Sequence, residues 1–271
     1  MKTRTLFIFS ALAVLASCNE RHEKKNREKS DWVEKVVNKE SGPIEQKEFT
    51  GNFDEIQVSQ AIDAEVIKSE TERVVISAPR SIINEVLVDN EGGKLHIHYK
   101  RGIRVMNINN VTAKIYTKDF TKLGVDSAAK ITVKDKFTQD KTDIEVSSAG
   151  SISGDIEANE LGINADSSSN FTGKIWAVNL DIETSSGSSI SISGKAKHAD
   201  INSSSGSSVS AQQVIADNVE ADASSGASIE ISATTTAKAS ASSGGSVDIT
   251  RKGELKTVSK EENSGGSVNI Q

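Results

Sequence analysis

The stretch Ile182-Glu-Thr-Ser-Ser-Gly-Ser-Ser-Ile-Ser-Ile-Ser-Gly194 decides how this chain is read. Serine and glycine make up most of it, as in a flexible linker. Three isoleucines sit in it, however, and a near copy follows at Ile201-Asn-Ser-Ser-Ser-Gly-Ser-Ser-Val-Ser-Ala211. A linker has no reason to return an apolar residue at a fixed place. A folded repeat does.

The apolar residue five places after the start of each Ser-Ser-Gly-like unit serves as an anchor. The anchors are Ile131, Ile152, Phe171, Ile190, Val209, Ile229, Val247 and Val268, spaced by 21, 19, 19, 19, 20, 18 and 21 residues. A period near twenty marks a solenoid, in which each unit buries its apolar face only against its neighbours. Helical repeats need ten or more residues of 3.6 periodicity per unit, and none is present. Alternation is present. In steps of two from Ile182 come Thr184, Ser186, Ser188, Ile190 and Ile192; from Ile201 come Ser203, Ser205, Ser207, Val209 and Ala211. If these face inward, apolar ends flank a small-residue middle, and stacked hydroxyls bond coil to coil. A twenty-residue coil has a perimeter of about 65 Å, and eight coils stack into a rod of about 40 Å. The fold class is therefore all-β, a parallel β-helix (β-solenoid).

Upstream, Phe53–Val58, Arg73–Ser77, Lys94–Tyr99 and Val111–Tyr116 read as short strands of period two. Positions Ile56, Val75, Leu95 and Ala113 keep nearly the same spacing and are expected to be wider first coils. Pro79–Val86 is the one helix candidate in this part. Residues 19–48 are highly charged and read as a solvated tether, with a helical turn possible at Asp31–Val37 and Gly42-Pro43 at its end.

The N-terminus has a basic start, an apolar run from Leu6 to Leu15, and Ala16-Ser17-Cys18. This is a secretion signal, too short to span a membrane comfortably. Leu15-Ala-Ser-Cys18 resembles a bacterial lipobox, and Cys18 is the single cysteine of the chain. Lipidation at Cys18 is expected to anchor the protein in the membrane. The domain plan is residues 1–18 signal peptide, 19–48 tether and 49–271 β-helical domain, with the repeats at about 121–271.

At this point the sequence resembles the auto-transporter adhesin, head GIN domain family. The resemblance covers about residues 49–271. It rests on Phe53-Asp-Glu-Ile-Gln-Val-Ser59, Gly93-Lys-Leu-His-Ile97, the run from Val111 to Leu123 leading into Ser-Ser-Gly repeats, Leu161-Gly-Ile-Asn164 and Ile201-Asn202. It implies a β-helical fold and a cell-envelope location. It brings no set of binding residues with it.

The residues offer little chemistry. Net charge is −6 and the sequence pI is about 5.4, which disfavours nucleic acid. Ser127-Ala-Ala-Lys130 matches Ser-x-x-Lys, but its companion motifs are absent and it sits at a repeat position. His96 and His98 share one face of a strand, with Leu95, Ile97 and Tyr99 on the other, and lack an evident third metal ligand. His22 falls in the tether and His198 in a repeat turn. Acids such as Asp155, Asp217 and Asp222 are scattered at turns. After Trp176 there is no Phe, Tyr or Trp, which argues against sugar stacking on the later coils. Thr234-Thr-Thr236 is a single run, too little for an ice-binding rank. No catalytic residue, metal or cofactor is expected.

The expected function is a non-enzymatic, lipid-anchored envelope protein acting as an adhesion or interaction module. The alternatives are a carbohydrate-active enzyme and a purely structural component. The expected partners are the membrane, through Cys18, and a protein or glycan ligand. The chain ends inside an anchor strand at Val268-Asn-Ile-Gln271, so an uncapped edge would let copies pair end to end as a homo-oligomer. The expected location is the outer membrane, facing the periplasm or the cell exterior.

Overall fold

The protein is described by a computed structural model covering residues 35–38, 42–106 and 110–271. Cys18, the signal peptide, His22 and most of the tether lie outside the described residues. The chain is a β-solenoid. From residue 120 onward, successive coils pair in parallel and in sequence order: Phe137–Val146 on Ile156–Ala165, then Asn170–Thr184, Ser189–Ser203, Ser208–Ala223 and Ser228–Ala241. Each coil has three straight segments and hence three walls. The first wall runs through 137–139, 156–158, 175–177, 194–196 and 214–216. The second runs through 141–146, 160–165, 179–184, 198–203 and 218–223. The third runs through 151–153, 170–172 and their successors.

The Ser-Ser-Gly unit is the corner between the second and third walls. Ser186 and Gly187 both have positive φ, 54° and 72°, and the Ser188 N–H donates to the Ser185 carbonyl at 3.1 Å. This is a type I′ turn, which needs a left-handed backbone at both central positions. Glycine takes the second place in five repeats; Ala128, Ala149 and Ser168 take it in the others, at φ of 61° to 62°. The turns also stack on one another. The Gly187 N–H donates to the Ser205 carbonyl of the next coil at 3.1 Å, and Ser168 bonds Ser186 in the same way. That ladder offsets the strain of a non-glycine residue held at positive φ.

The turn corrects one expectation. Thr184, Ser188, Ile190 and Ile192 point inward, but Ser186 is exposed at the turn tip, as is Ser205. The inward serines sit beside the tip, where their hydroxyls are satisfied locally. Ser188 donates to the Ala165 carbonyl at 2.8 Å, and Thr184, Ser203 and Ser207 bond one another at 2.8–3.0 Å. An unpaired buried hydroxyl would cost about 1–3 kcal/mol. All eight anchors are buried.

The N-terminal strands do not form simple first coils. Strands Glu55–Val58 and Asp63–Lys68 lie between Lys94–Tyr99 and Thr112–Thr117 on one side and Lys122–Val125 and Lys130–Val133 on the other. The second rung in space is thus the first in sequence. Val75 is on no coil. Its strand, Arg73–Pro79, runs antiparallel to Thr112–Thr117 and to Ile44–Thr50. Pro79–Val86 is not a helix; it holds only a single 3-10 turn, Ile83–Glu85, whose Ile83 plugs the core. Lys35–Asn38 is a strand paired with Ile103–Met106, not a helical turn. Strand Ile44–Thr50 crosses the expected boundary between residues 48 and 49.

The last coil closes the other end. In the final wall strand, Thr257–Glu262, Lys260 stacks on buried Ala239, and Glu262 on buried Ala241. Charged, exposed residues therefore end columns that in earlier coils carry Ile and Ala at Lys260, and Val, Ala, Thr and Ser at Glu262. They reach the outer edge of Ser267–Ile270: Lys260 Nζ donates to the Val268 carbonyl at 3.1 Å, and the Val268 N–H donates to Glu262 at 2.7 Å. Both backbone groups of Val268 are thus bonded to side chains of the preceding strand.

Two outcomes follow from this packing. Ile190, stacked between Phe171 and Val209, should lose about 2–5 kcal/mol of stability on Ile190→Ala, and Ile190→Asp should abolish cooperative melting, read by circular dichroism. The double variant Lys260→Ala, Glu262→Ala should keep its melting transition but self-associate at high concentration in sedimentation, because it exposes an unpaired strand edge.

Candidate functional site

A solenoid leaves every outward position free of packing duty, so the chemistry of each wall is read from its outward ranks. On the third wall these ranks are mostly hydroxylic, with Ser151, Ser153, Thr172, Ser189, Ser191, Ser208 and Ser210, until Glu230 and Asp248 enter on the later coils. On the second wall they are acidic. One rank runs Asp143, Gly162, Asp181, Asp200, Glu220, Lys238, and its neighbour runs Glu145, Asn164, Glu183, Asn202, Asp222, Ser240. The second rank alternates carboxylates with amides or a hydroxyl, which keeps like charges from stacking directly. The first stacks three acids in succession. Asp200, in the middle, is raised above the usual carboxylate range. The flanking ranks exclude part of its water although it faces solvent, and the charges of Asp181, Glu220 and Asp222 add to the shift.

Asp155 does lie at a corner between strands, but Asp222 is not at a turn. Asp222 stands in this strand rank, and His198 lies mid-strand on the same wall, its Nδ1 3.2 Å from the Asn218 amide nitrogen. The signal was present in the sequence. The two ranks lie nine and seven residues before each anchor, as Asp181 and Glu183 lie before Ile190. The two ranks line two clefts along this wall, of about 760 and 560 Å³.

The first wall carries Trp176. Ile175 and Ala177 point inward and are 2% exposed, so alternation turns Trp176 outward, where it is 44% exposed. It is the one exposed aromatic residue among the described residues. Its rank reads Glu157, Trp176, Lys195, Ile215 up the rod. Beside it lies a cleft of about 600 Å³ whose rim includes Lys136, Asp155, Lys174 and Gln213. Lys136 pairs with Glu157, which with help from Thr138 holds that carboxyl below its usual range. No carboxylate among the described residues lies within ion-pairing distance of Lys174 or Lys195.

The remaining candidates resolve as structure. His96 and His98 stack with ring centroids 4.2 Å apart, but they engage different partners. His98 Nε2 meets Asp89 at 3.0 Å. Ser59 donates to Asp126 at 2.8 Å, so its oxygen accepts from His96 Nε2–H at 3.0 Å. With the hydroxyl proton given to Asp126, His96 is not the base of a nucleophilic serine. Burial first, and then His98, lower the pKa of His96. No group of three metal-ligating side chains occurs among the described residues. Ser127 is the exposed tip of a type I′ turn at φ 52°, and its side chain makes no hydrogen bond to Lys130. The Tyr99 hydroxyl is buried without a partner among the described residues, and burial raises its pKa.

The chain is thus a β-solenoid with side-chain ranks along its walls and an aromatic residue displayed on one of them. The family model described as "Putative auto-transporter adhesin, head GIN domain" matches residues 52–174 and again 152–253. The chain belongs to this family. Three solved structures share the fold. A putative adhesin from Parabacteroides merdae is 19% identical with a TM-score of 0.78, covering 87% of this chain and 99% of its own. A protein from Parabacteroides distasonis described as a putative lipid binding protein is 22% identical with a TM-score of 0.77, covering 88% and 100%. A putative adhesin from Bacteroides fragilis is 16% identical with a TM-score of 0.65, covering 86% and 99%. No curated protein matches the chain.

The raised pKa of Asp200 gives a signed expectation. The folded state holds its proton to higher pH than the unfolded chain, so this group's contribution to stability is present at low pH and lost as pH rises through the folded value. Asp200→Asn should therefore raise the melting temperature at pH 7, and the gain should vanish when the pH is brought below the usual carboxylate range.

Proposed function

We propose that the protein is a lipid-anchored adhesion module of the cell envelope that binds through the outer walls of its solenoid and performs no chemistry of its own. One observation carries the proposal: Trp176 is held 44% exposed in the middle of a rigid parallel sheet. An indole side chain left in water on an ordered wall, beside unpaired ammonium groups, is a preformed contact surface. Membership of a family named for adhesin heads supports the reading. The anchor rests on Leu15-Ala-Ser-Cys18: Cys18 would carry the lipid, with the charged residues after it as a spacer. No helix among the described residues is long and apolar enough to cross a membrane.

A second reading, hydrolysis of a polysaccharide along the acidic wall, draws on the rank Asp181, Asp200, Glu220 and the raised pKa of Asp200. The two readings separate in one set of assays. Cells displaying the full chain should adhere to host-derived or bacterial surfaces and lose most of that adherence on Trp176→Ala. Cys18→Ser should move the protein from the membrane to the soluble fraction. Protease treatment of intact cells should cleave the wild-type chain. Turnover of a polysaccharide that is lost on Asp200→Asn, without any adherence, would replace the proposal with the enzymatic reading.

A further inference from the structure

The cleft beside Trp176 has a composition that selects its occupant, and the argument rests on the adhesion reading above. Its wall is the indole of Trp176, 44% exposed. Its rim carries Lys174 and Lys195, neither in an ion pair among the described residues. Lys195 stands directly above Trp176 in the rank, one coil along. Ser193 and Gln213 supply hydroxyl and amide groups in the next rank over, on coils beyond Lys174. Gly194 stacks on Ile175, where a Cβ would lie 1.9 Å from the Ile175 carbonyl oxygen.

We infer that this cleft is a binding site for an acidic glycan, with one pyranose ring stacked by its C–H face on Trp176 and its carboxylate or sulfate held by Lys174 and Lys195. The three parts of the cleft answer the three parts of such a ligand. The apolar face of a sugar ring needs a flat aromatic partner, which only Trp176 provides among the exposed residues. Its hydroxyls need short-range donors and acceptors, which Ser193, Gln213 and Asp155 provide. Its negative charge needs a cation without an internal partner. The coil step of about 4.8 Å is close to the length of one pyranose unit. A chain of sugars running up the rod therefore meets Trp176, Lys195 and Ile215 with successive residues. The acidic second wall repels the same ligand, so the charge pattern confines it to the first wall.

Isothermal titration of the purified full chain tests this with three acidic hexasaccharides, galacturonate, hyaluronan and chondroitin sulfate, against neutral cellohexaose. At least one acidic hexamer should bind, and cellohexaose should bind about tenfold or more weakly. Trp176→Ala should weaken the acidic ligand by roughly tenfold while leaving the melting curve in place. The double variant Lys174→Ala, Lys195→Ala should weaken it similarly and flatten its salt dependence. The inference is overturned if no acidic hexamer binds, if binding ignores Trp176→Ala, or if anionic phospholipid vesicles bind through Trp176 while the hexamers do not. Adherence of cells that depends on Trp176, with no hexamer bound, would keep the adhesion proposal and remove the glycan. Hexamer binding at Trp176 with adherence unchanged by Trp176→Ala would do the reverse.

Discussion

Every inward side chain in this solenoid must rest on the side chain at the same place in the next coil. Parallel strands in register leave no other partner, because a shift of one residue would turn the whole inward set to solvent. The column Ile144, Ile163, Ile182, Ile201, Ala221, Ala239 shows the rule at work. So does the corner column Val146, Ala165, Thr184, Ser203, Ala223, Ala241, where the two hydroxylic residues sit together between small apolar ones. The type I′ turn enforces the register from outside. It fixes the number of residues at the corner and bonds each turn to the next, so the walls on either side cannot slip separately.

That constraint explains what could be read in the sequence. The anchors, the alternation and the twenty-residue period are all shadows of columns, and columns repeat. Ile190 could be placed in the core from its spacing alone. The N-terminal part could not be ordered in the same way, since nothing local in Phe53–Val58 records that its neighbours in space are Lys94–Ile97 and Lys122–Val125. Spacing near twenty at Val75 was misleading, because an antiparallel strand of the same length satisfies the same count. Ser186 and Ser205 were misplaced because a strict period of two takes no account of a left-handed corner.

The outward positions obey a looser rule, and the candidate site lies there. Trp176 was legible as outward, since Ile175 and Ala177 must be inward. What the sequence does not state is that Lys174 and Lys195, twenty-one residues later, meet at the same cleft, neither in an ion pair among the described residues. That is a property of two ranks side by side, and it needs the register as well as the period. The acidic ranks of the second wall differ in this: they keep a constant offset from the anchors, and the changes in coil length are absorbed elsewhere, at bulges near Ser193 and Ala211.

The inserted rung has a consequence for how the chain folds. Strands Glu55–Val58 and Asp63–Lys68 cannot be covered on both sides until residues up to Val133 are available. Until then this early segment offers two unsatisfied edges, and the contacts that close it are long in sequence and slow to form. The later coils add one at a time onto a surface already made. The N-terminal end is thus closed by contacts far apart in sequence, whereas each later coil rests on the one just before it.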